Sequence, residues 1–237
     1  MTAKTGIART VAAAVLLFLS LPGFSHAWHD KTHLAVAKAA GYPQWYNAAG
    51  ADIAKIKAGD KEAFNHFSDN APGTAITPKM ILDQVQRYDD PSDEKGHLYG
   101  AIVASVRDYR SAKATGKYGE YHLAYCAHYV GDLSMPLHNT LYDAFNRQHH
   151  PAMDGIVEDE ALDHLERIKI YHIKIESEDD LVREIARIAD ISMNLGYKLE
   201  AENRPLTKEE AYVQLGHSAS LLKAILDYVR REELRTR

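Results

Sequence analysis

Apolar residues recur at helical spacing along most of this 237-residue chain. In segment 97–114, for example, Leu98, Ile102 and Val106 are spaced to share one helical face. Alternating apolar and polar runs bounded by Asn-Gly or Asp-Gly turns, which predict β-hairpins, are missing from the sequence. We therefore expect an all-α fold, with helices over 31–40, 48–57, 78–88, 97–114, 118–135, 151–171, 180–199 and 208–231.

The chain beyond residue 27 reads as one domain. Hydrophobic residues make up 46% and charged residues 26%, a composition typical of a globular protein. Neither an internal repeat nor a linker interrupts the helical pattern. We therefore expect a single multi-helical domain over residues 28–237.

Residues 1–27 have the pattern of a secretory signal peptide. Lys4 and Arg9 precede an apolar run over 11–21, which Pro22 and Gly23 end. The run is shorter than the ~20 residues of a membrane-spanning helix. Cleavage after Ala27 would leave Trp28 as the first residue of a secreted or periplasmic protein, and an uncleaved anchor is the alternative.

Charge and cysteine content exclude several classes of protein. The formal net charge is −5, so no basic excess indicates binding to nucleic acid or an anionic membrane. The single cysteine, Cys126, excludes an internal disulfide framework, a Cys-based zinc finger and an iron–sulfur site. The chain also has 13 histidines, which is unusual and directs attention to metal binding.

The segment HYVGDLSMPLH, residues 128–138, carries the densest cluster of metal-binding residue types. His128 and Asp132 are four residues apart, so on a helix they project from one face, one turn apart. Pro136 ends the helix and allows His138 to approach from another backbone direction. The alternative is an amphipathic helix with a solvated His–Asp pair and an unrelated histidine.

His150 and Asp154 form a second pair at the same spacing, and Pro151 suits the first turn of a helix. His149 is the competing candidate, but its partner four residues on is Met153, which is no ligand for zinc. The alternative is a polar helix start at the surface.

Three further segments carry weaker signals. The amine and carbonyl oxygen of an N-terminal Trp28 could chelate a metal near His33, although both residues could simply pack in the core. His66 and Asp52 are each unremarkable alone, and Asp60 also lies upstream of His66. Asp52 is preferred because it lies in a predicted helix.

In combination, the order Trp-x4-His, Asp, His, His-x3-Asp-x5-His and His-x3-Asp resembles the zinc-dependent phospholipase C family. It equally resembles the zinc-dependent single-strand nucleases that share that fold. The resemblance covers residues 28–154, and segment 128–138 is its most specific part. Met135 departs from the glutamine usual at that position of the family pattern. Asp154 and the Trp28–His33 spacing match the nuclease branch, whereas the absence of disulfides and the setting of Asp52 are more like the phospholipase branch.

The resemblance implies three zinc ions in a cleft of a mainly helical domain. One zinc of a close pair would be held by Asp52, His66, His128 and Asp132. The other would be held by Trp28 and His33, with Asp132 bridging the two. His138, His150 and Asp154 would hold the third.

These implied sites predict an enzyme that cleaves phosphodiester bonds, with Asp52 orienting or deprotonating the attacking water. Nitrogen and oxygen ligands suit zinc, while manganese and iron remain open. We expect a monomer acting on phospholipid. The alternatives are a single-strand nuclease or 3′-nucleotidase of the same fold, and a non-catalytic zinc-binding helical protein.

Overall fold

Helices account for all the regular secondary structure in residues 28–235, the part of the chain that the computed structural model describes. The all-α prediction is therefore confirmed, whereas the predicted signal segment 1–27 lies outside the described residues. Three short 3-10 helices lie at Trp45–Asn47, Pro136–Asn139 and Leu165–Arg167. The α-helices of the described part are α1 (Asp30–Ala39), α2 (Gly50–Ala58), α3 (Asp60–Ala63), α4 (Pro78–Val85), α5 (Leu98–Ala114), α6 (Glu120–Leu133), α7 (Ala144–Asp154), α8 (Glu178–Ala201) and α9 (Lys208–Arg235).

Helix α6 lies at the centre of the domain. It packs against α1, α2, α5, α8 and α9, and every one of its residues from Cys126 to Leu133 is buried. A helix enclosed on all sides is normally apolar throughout. The two exceptions in the C-terminal half of α6 are His128 and Asp132, both fully buried. The fold thus places a polar pair at its core, where it needs partners from other elements.

Local capping signals define where several helices begin. Pro78 opens α4, and the side chain of Thr77 accepts the backbone N–H of Met80 at 3.2 Å. Ser177 and Asp180 form a capping box at the start of α8. These short-range hydrogen bonds explain why the predicted starts of both helices agree closely with the structure.

The helix predicted over 151–171 is wrong. Helix α7 begins seven residues earlier, after Asp143, whose carboxylate caps it by accepting the N–H of Asn146. Pro151 lies inside α7, and the helix ends at Asp154, within one turn of the proline. Turns and the 3-10 helix Leu165–Arg167 follow. His150 and Asp154 are still one turn apart on a helix, as predicted.

One apolar core unites the helices into a single domain. It extends from Trp28 through α5 and α6 to the two long closing helices α8 and α9. Gly196 of α8 lets the segment after α6 pack closely, because a Cβ there would lie 2.7 Å from Thr140 Cγ2. Within residues 28–235, no helix has both the length and the apolar character needed to cross a bilayer.

Candidate metal centre

Eight of the nine residues predicted as metal ligands come together in three buried groups, each able to surround an ion. The groups are His33, His128 and Asp132; Asp52, His66 and His128; and His138, His150 and Asp154. They come from α1, α2, the loop after α3, α6, the turn after α6, and α7. The tertiary fold therefore gathers side chains that are up to 121 residues apart in sequence.

The group around Asp52 and Asp132 has the spacing of a metal coordination sphere. His66 Nδ1 lies 3.0 Å from Asp132 Oδ2 and 3.8 Å from Asp52 Oδ1. His128 Nε2 lies 3.5 Å from Asp132 Oδ2 and 3.7 Å from Asp52 Oδ2. Tetrahedral zinc with ligand bonds of 2.0–2.2 Å separates its ligand atoms by about 3.3–3.6 Å. The observed distances scatter around that range.

Asp132 also faces the group that contains His33, through its other oxygen. Asp132 Oδ1 lies 3.3 Å from His33 Nε2, and the His33 ring stacks on His128 with centroids 3.7 Å apart. This approach requires Gly131, since a Cβ there would lie 2.4 Å from His33 Nδ1. Asp132 is thus positioned between two groups, as a bridging carboxylate would be.

The third group shows most directly that a cation fits. His138 Nδ1 donates to the carbonyl of His66 at 2.6 Å, and His150 Nδ1 donates to Asn146 Oδ1 at 2.6 Å. In neutral rings the Nε2 atoms then carry lone pairs, yet they lie 2.9 Å apart. Asp154 Oδ2 is 3.2 Å from His150 Nε2. Two lone pairs and a carboxylate at such distances repel one another unless a proton or a metal cation lies between them.

The ring tautomer of His128 leads to the same conclusion. His128 Nδ1 donates to the carbonyl of Ala48 at 2.8 Å, so its Nε2 presents a lone pair to Asp52, His66 and Asp132. Hydrogen bonds from the far side of a ring fix ligand tautomers in this way in metal sites. His66 Nδ1 lies 3.0 Å from Asp132 Oδ2, while His66 Nε2 lies 3.5 Å from Glu62 Oε1 and makes no hydrogen bond within the described residues.

Burial keeps these histidines neutral and therefore able to bind a metal. Burial lowers the pKa of His33 to about 4 and holds the pKa values of His66 and His138 well below the usual range. Burial raises the pKa of Asp132 well above its usual range. A cation shared with Asp132 would offset that cost of desolvation. Both ring nitrogens of His33 and Oδ1 of Asp132 are buried without a hydrogen bond in the described part of the chain.

Asp52 differs from Asp132 in its electrostatics. Burial alone would raise its pKa, but the charges that His128 and His66 carry when protonated, together with the charge of Lys55, outweigh burial and lower the pKa of Asp52. Lys55 Nζ lies 2.8 Å from Asp52 Oδ1 and keeps its charge when the histidines are neutral. Asp52 is therefore ionised and available as a metal ligand. The competing candidate Asp60 is exposed on α3 and belongs to none of the three groups.

Hydrogen bonds hold the loop after α3, which carries His66, against the turn after α6, which carries His138. Ser68 donates its backbone N–H to the carbonyl of His138 at 2.8 Å, while His138 Nδ1 returns a bond to the His66 carbonyl. Asn139 donates to the carbonyls of Leu133 and Met135, which fixes the turn at the end of α6. Met135 itself is fully buried in the apolar core.

Trp28, the ninth predicted ligand, lies immediately before α1 and is fully buried. The next residue, His29, donates its backbone N–H to the carbonyl of Asp154 at 3.4 Å, so the start of the described chain lies beside the third group. Glu158 holds α1 in place by accepting the backbone N–H groups of Lys31 and Thr32, each at 3.0 Å. Chelation by the Trp28 amine stays a prediction.

Sequence reasoning missed two charged side chains at this centre. Glu62, buried and facing His66, is four residues before it, the same spacing that identified His128–Asp132. Lys55 is three residues after Asp52 and is buried with it. Helical spacing counted from His66 and Asp52 could have found both. A search restricted to metal ligands does not find them, because neither residue belongs to a ligand group.

A cavity of about 330 Å³ opens onto the metal-binding groups. His66, His138 and His150 line it, together with the ammonium-bearing Lys55. Its other walls consist of apolar and aromatic residues, one amide and two acids: Ala63, Phe67, Leu137, Tyr142, Asn146, Asp69 and Glu94. A small solute can therefore reach ligands of both the second and the third groups.

No family model, curated protein or solved structure matches this chain. Function must therefore be argued from the centre itself.

Proposed function

We propose that this protein is an exported zinc-dependent phosphoric-ester hydrolase that cleaves phosphodiesters in the manner of a phospholipase C. The observation that carries the proposal is that the ring lone pairs of His138 and His150 face each other in the third group, an arrangement that a bound cation would stabilise. Zinc suits an all-nitrogen-and-oxygen ligand set of this size. Trp28, His33, Asp52, His66, His128, Asp132, His138, His150 and Asp154 would hold three such ions.

Access to solvent favours an enzyme over a metal-storage or structural protein. A structural zinc site is closed, whereas a catalytic site keeps a position open to substrate. Here three of the histidines line a cavity large enough for a phosphate group and part of its substituents. Bound zinc would supply an acidified water and would stabilise charge on phosphate oxygens.

Two side chains have roles that follow from their charge. Asp52, ionised and beside the centre, would accept a hydrogen bond from the attacking water and so orient it. Lys55 lines the cavity and would contact a non-bridging phosphate oxygen, although it also pairs with Asp52.

The cavity walls favour a phospholipid head group over a nucleic acid strand. Single-stranded nucleic acid is bound along tracks of cations with aromatic stacking. Lys55 is the only lysine or arginine among the described residues that line this cavity, and Asp69 and Glu94 lie in the same wall. A single-strand nuclease remains the second candidate, since Phe67 and Tyr142 could stack on bases.

The decisive experiment compares hydrolysis of phosphatidylcholine, single-stranded DNA and a 3′-mononucleotide by the zinc-loaded protein beginning at Trp28. We expect phosphatidylcholine to be cleaved fastest, with two to three zinc ions bound per chain and activity lost on chelation. His128→Ala should remove at least one zinc and nearly all activity.

His149→Ala is the matched control, because His149 neighbours His150 but packs on Phe145 outside the three groups. It should leave zinc content and rate unchanged. Faster cleavage of DNA would select the nuclease alternative, while two or three bound zinc ions without any hydrolysis would select the non-catalytic one. Failure to bind a divalent metal after reconstitution with zinc would refute the proposal.

A further inference from the structure

Helix α2 is inverted relative to an ordinary amphipathic helix. Its buried face carries Asp52 and Lys55, whereas Ile53 is 64% and Ile56 83% exposed. The two isoleucines are three residues apart and share one face of the helix, and that face points to solvent. The inner face is occupied by the Asp52–Lys55 ion pair beside the metal centre. Apolar residues of a surface helix normally pack on the core, but Ile53 and Ile56 do not.

The exposed residues near these isoleucines in sequence are of the types found at a membrane interface. Tyr46, in the 3-10 helix just before α2, is 61% exposed, and amphipathic rings favour the level of lipid head groups. Lys57 and Lys61 are exposed close to the isoleucines in sequence, with Lys61 also 3.4 Å from Asp89. Asp60 is the single exposed acid in segment 53–61. The exposed charges of this segment, two lysines and one aspartate, sum to +1 in a chain whose overall charge is −5.

The position of the segment relative to the cavity supports a role in substrate capture. Asp52 and Lys55, on the inner side of the same helix, reach the metal centre and the cavity. Tyr142 lines the cavity while remaining 47% exposed, and its neighbour Leu141 is exposed as well. Apolar side chains thus project to solvent from α2 and from the loop before α7, two elements that contribute to the site.

We propose that Ile53 and Ile56, flanked by Tyr46 and Lys57, form a lipid-docking face that holds the protein on a membrane surface next to its substrate. This inference rests on the proposed hydrolysis of phospholipids. The isoleucines would enter the boundary between head groups and acyl chains, and the lysines would attract anionic lipid. Because only two aliphatic side chains are involved, docking would be weak and reversible, as an enzyme moving between substrate molecules requires.

The test compares Ile53→Ser/Ile56→Ser with Val213→Ser/Leu234→Ser, a matched pair of exposed aliphatic residues on α9. Zinc-loaded proteins are sedimented with vesicles of phosphatidylcholine containing 30% phosphatidylserine. Hydrolysis is measured on these vesicles and on a short-chain phosphatidylcholine kept monomeric in solution. Thermal melting confirms that each variant is folded.

We expect the α2 variant to lose vesicle binding and at least about tenfold of its rate on vesicles, while its rate on the monomeric lipid stays unchanged. The α9 variant should behave as wild type in both assays. Weaker vesicle binding at high salt would support the contribution of Lys57 and Lys61.

Three results would overturn the docking face. They are wild-type protein that does not sediment with vesicles, equal loss of rate on both lipids, and a wild-type dimer that the α2 variant converts to a monomer. The last would assign the face to a second copy of the chain. Sedimentation needs no turnover, so a protein that binds vesicles through α2 but hydrolyses no phosphodiester would refute the proposed function and leave the docking face standing.

Discussion

At the residue scale, the candidate centre depends on partners that bind the far side of three of its histidine rings. A backbone carbonyl orients His128 and another orients His138, while Asn146 orients His150. Glu62 Oε1 lies 3.5 Å from His66 Nε2 and accepts the Tyr129 hydroxyl at 2.6 Å. Burial raises the pKa of Glu62 to about 7, and the Tyr129 and Asn65 hydrogen bonds oppose that rise. We therefore expect Glu62 to act as a positioning residue that accepts His66 Nε2–H once a metal binds at His66 Nδ1.

Replacing Glu62 with glutamine should weaken zinc binding without unfolding the protein. Glutamine has nearly the same volume and can still accept the Tyr129 hydroxyl, but it is a poorer acceptor for His66 Nε2–H. We expect about a 10-fold to 100-fold increase in the zinc dissociation constant, measured by competition with a chromophoric chelator.

Asp60→Asn is the control for this substitution, because it removes a carboxylate from the same short helix at an exposed position. It should leave zinc affinity unchanged. Equal affinities for Glu62→Gln and wild type would show that Glu62 serves only to satisfy buried polar groups.

At the element scale, the position of α1 depends on a carboxylate from a distant loop. Glu158 accepts the N–H groups of Lys31 and Thr32 and the Thr32 hydroxyl, so it caps α1 in place of a side chain at its N-cap, His29. The charge also complements the helix dipole. Because α1 carries His33 and begins beside Trp28, the position of these two residues at the metal centre depends on this cap.

Glu158→Ala should destabilise the protein by about 1–2 kcal/mol, the usual cost of losing a cap. Urea unfolding measures the change. Asp159→Ala is the control, since Asp159 makes only a 3.8 Å contact with the exposed Lys31 side chain, and it should cost less than about 0.5 kcal/mol. If the two variants unfold at the same urea concentration, α1 does not depend on this cap.

At the scale of the whole molecule, the three groups connect elements that the core alone would hold less firmly. Their ligands come from α1, α2, α6, α7 and two connecting segments. Without a cation, the fold must bury neutral rings with lone pairs facing one another and carboxylates facing those rings. A metal bound only by the native state adds to its free energy of unfolding by mass action.

Removing the metal should therefore lower the melting temperature. Zinc at about 1,000 times its dissociation constant stabilises by about 4 kcal/mol, which corresponds to roughly 10 °C for a domain of this size. Differential scanning calorimetry of the zinc-loaded and chelated protein measures the shift. The shift should persist in His149→Ala and shrink in His128→Ala. Equal melting temperatures, with metal loss confirmed by elemental analysis, would contradict a structural role for the ions.

The sequence by itself determined the helical class and most helix positions, because hydrophobic periodicity and caps act over a few residues. It also identified the His-x3-Asp pairs, since spacing of four places two side chains on one face of any helix. Periodicity does not say which face points inward. The structure alone showed that α2 turns Asp52 and Lys55 inward and Ile53 outward.

Contacts between distant segments were decided only by the tertiary structure. The capping of α1 by Glu158 joins residues whose separation in sequence carries no local signal. The proximity of Asp132 to His33 was implied by the family resemblance alone and by no local pattern. Helix α7 begins at the Asp143 cap, whereas the prediction took Pro151 as the start of the helix. Local chemistry therefore predicted which side chains could bind a metal, and long-range packing decided which of them meet.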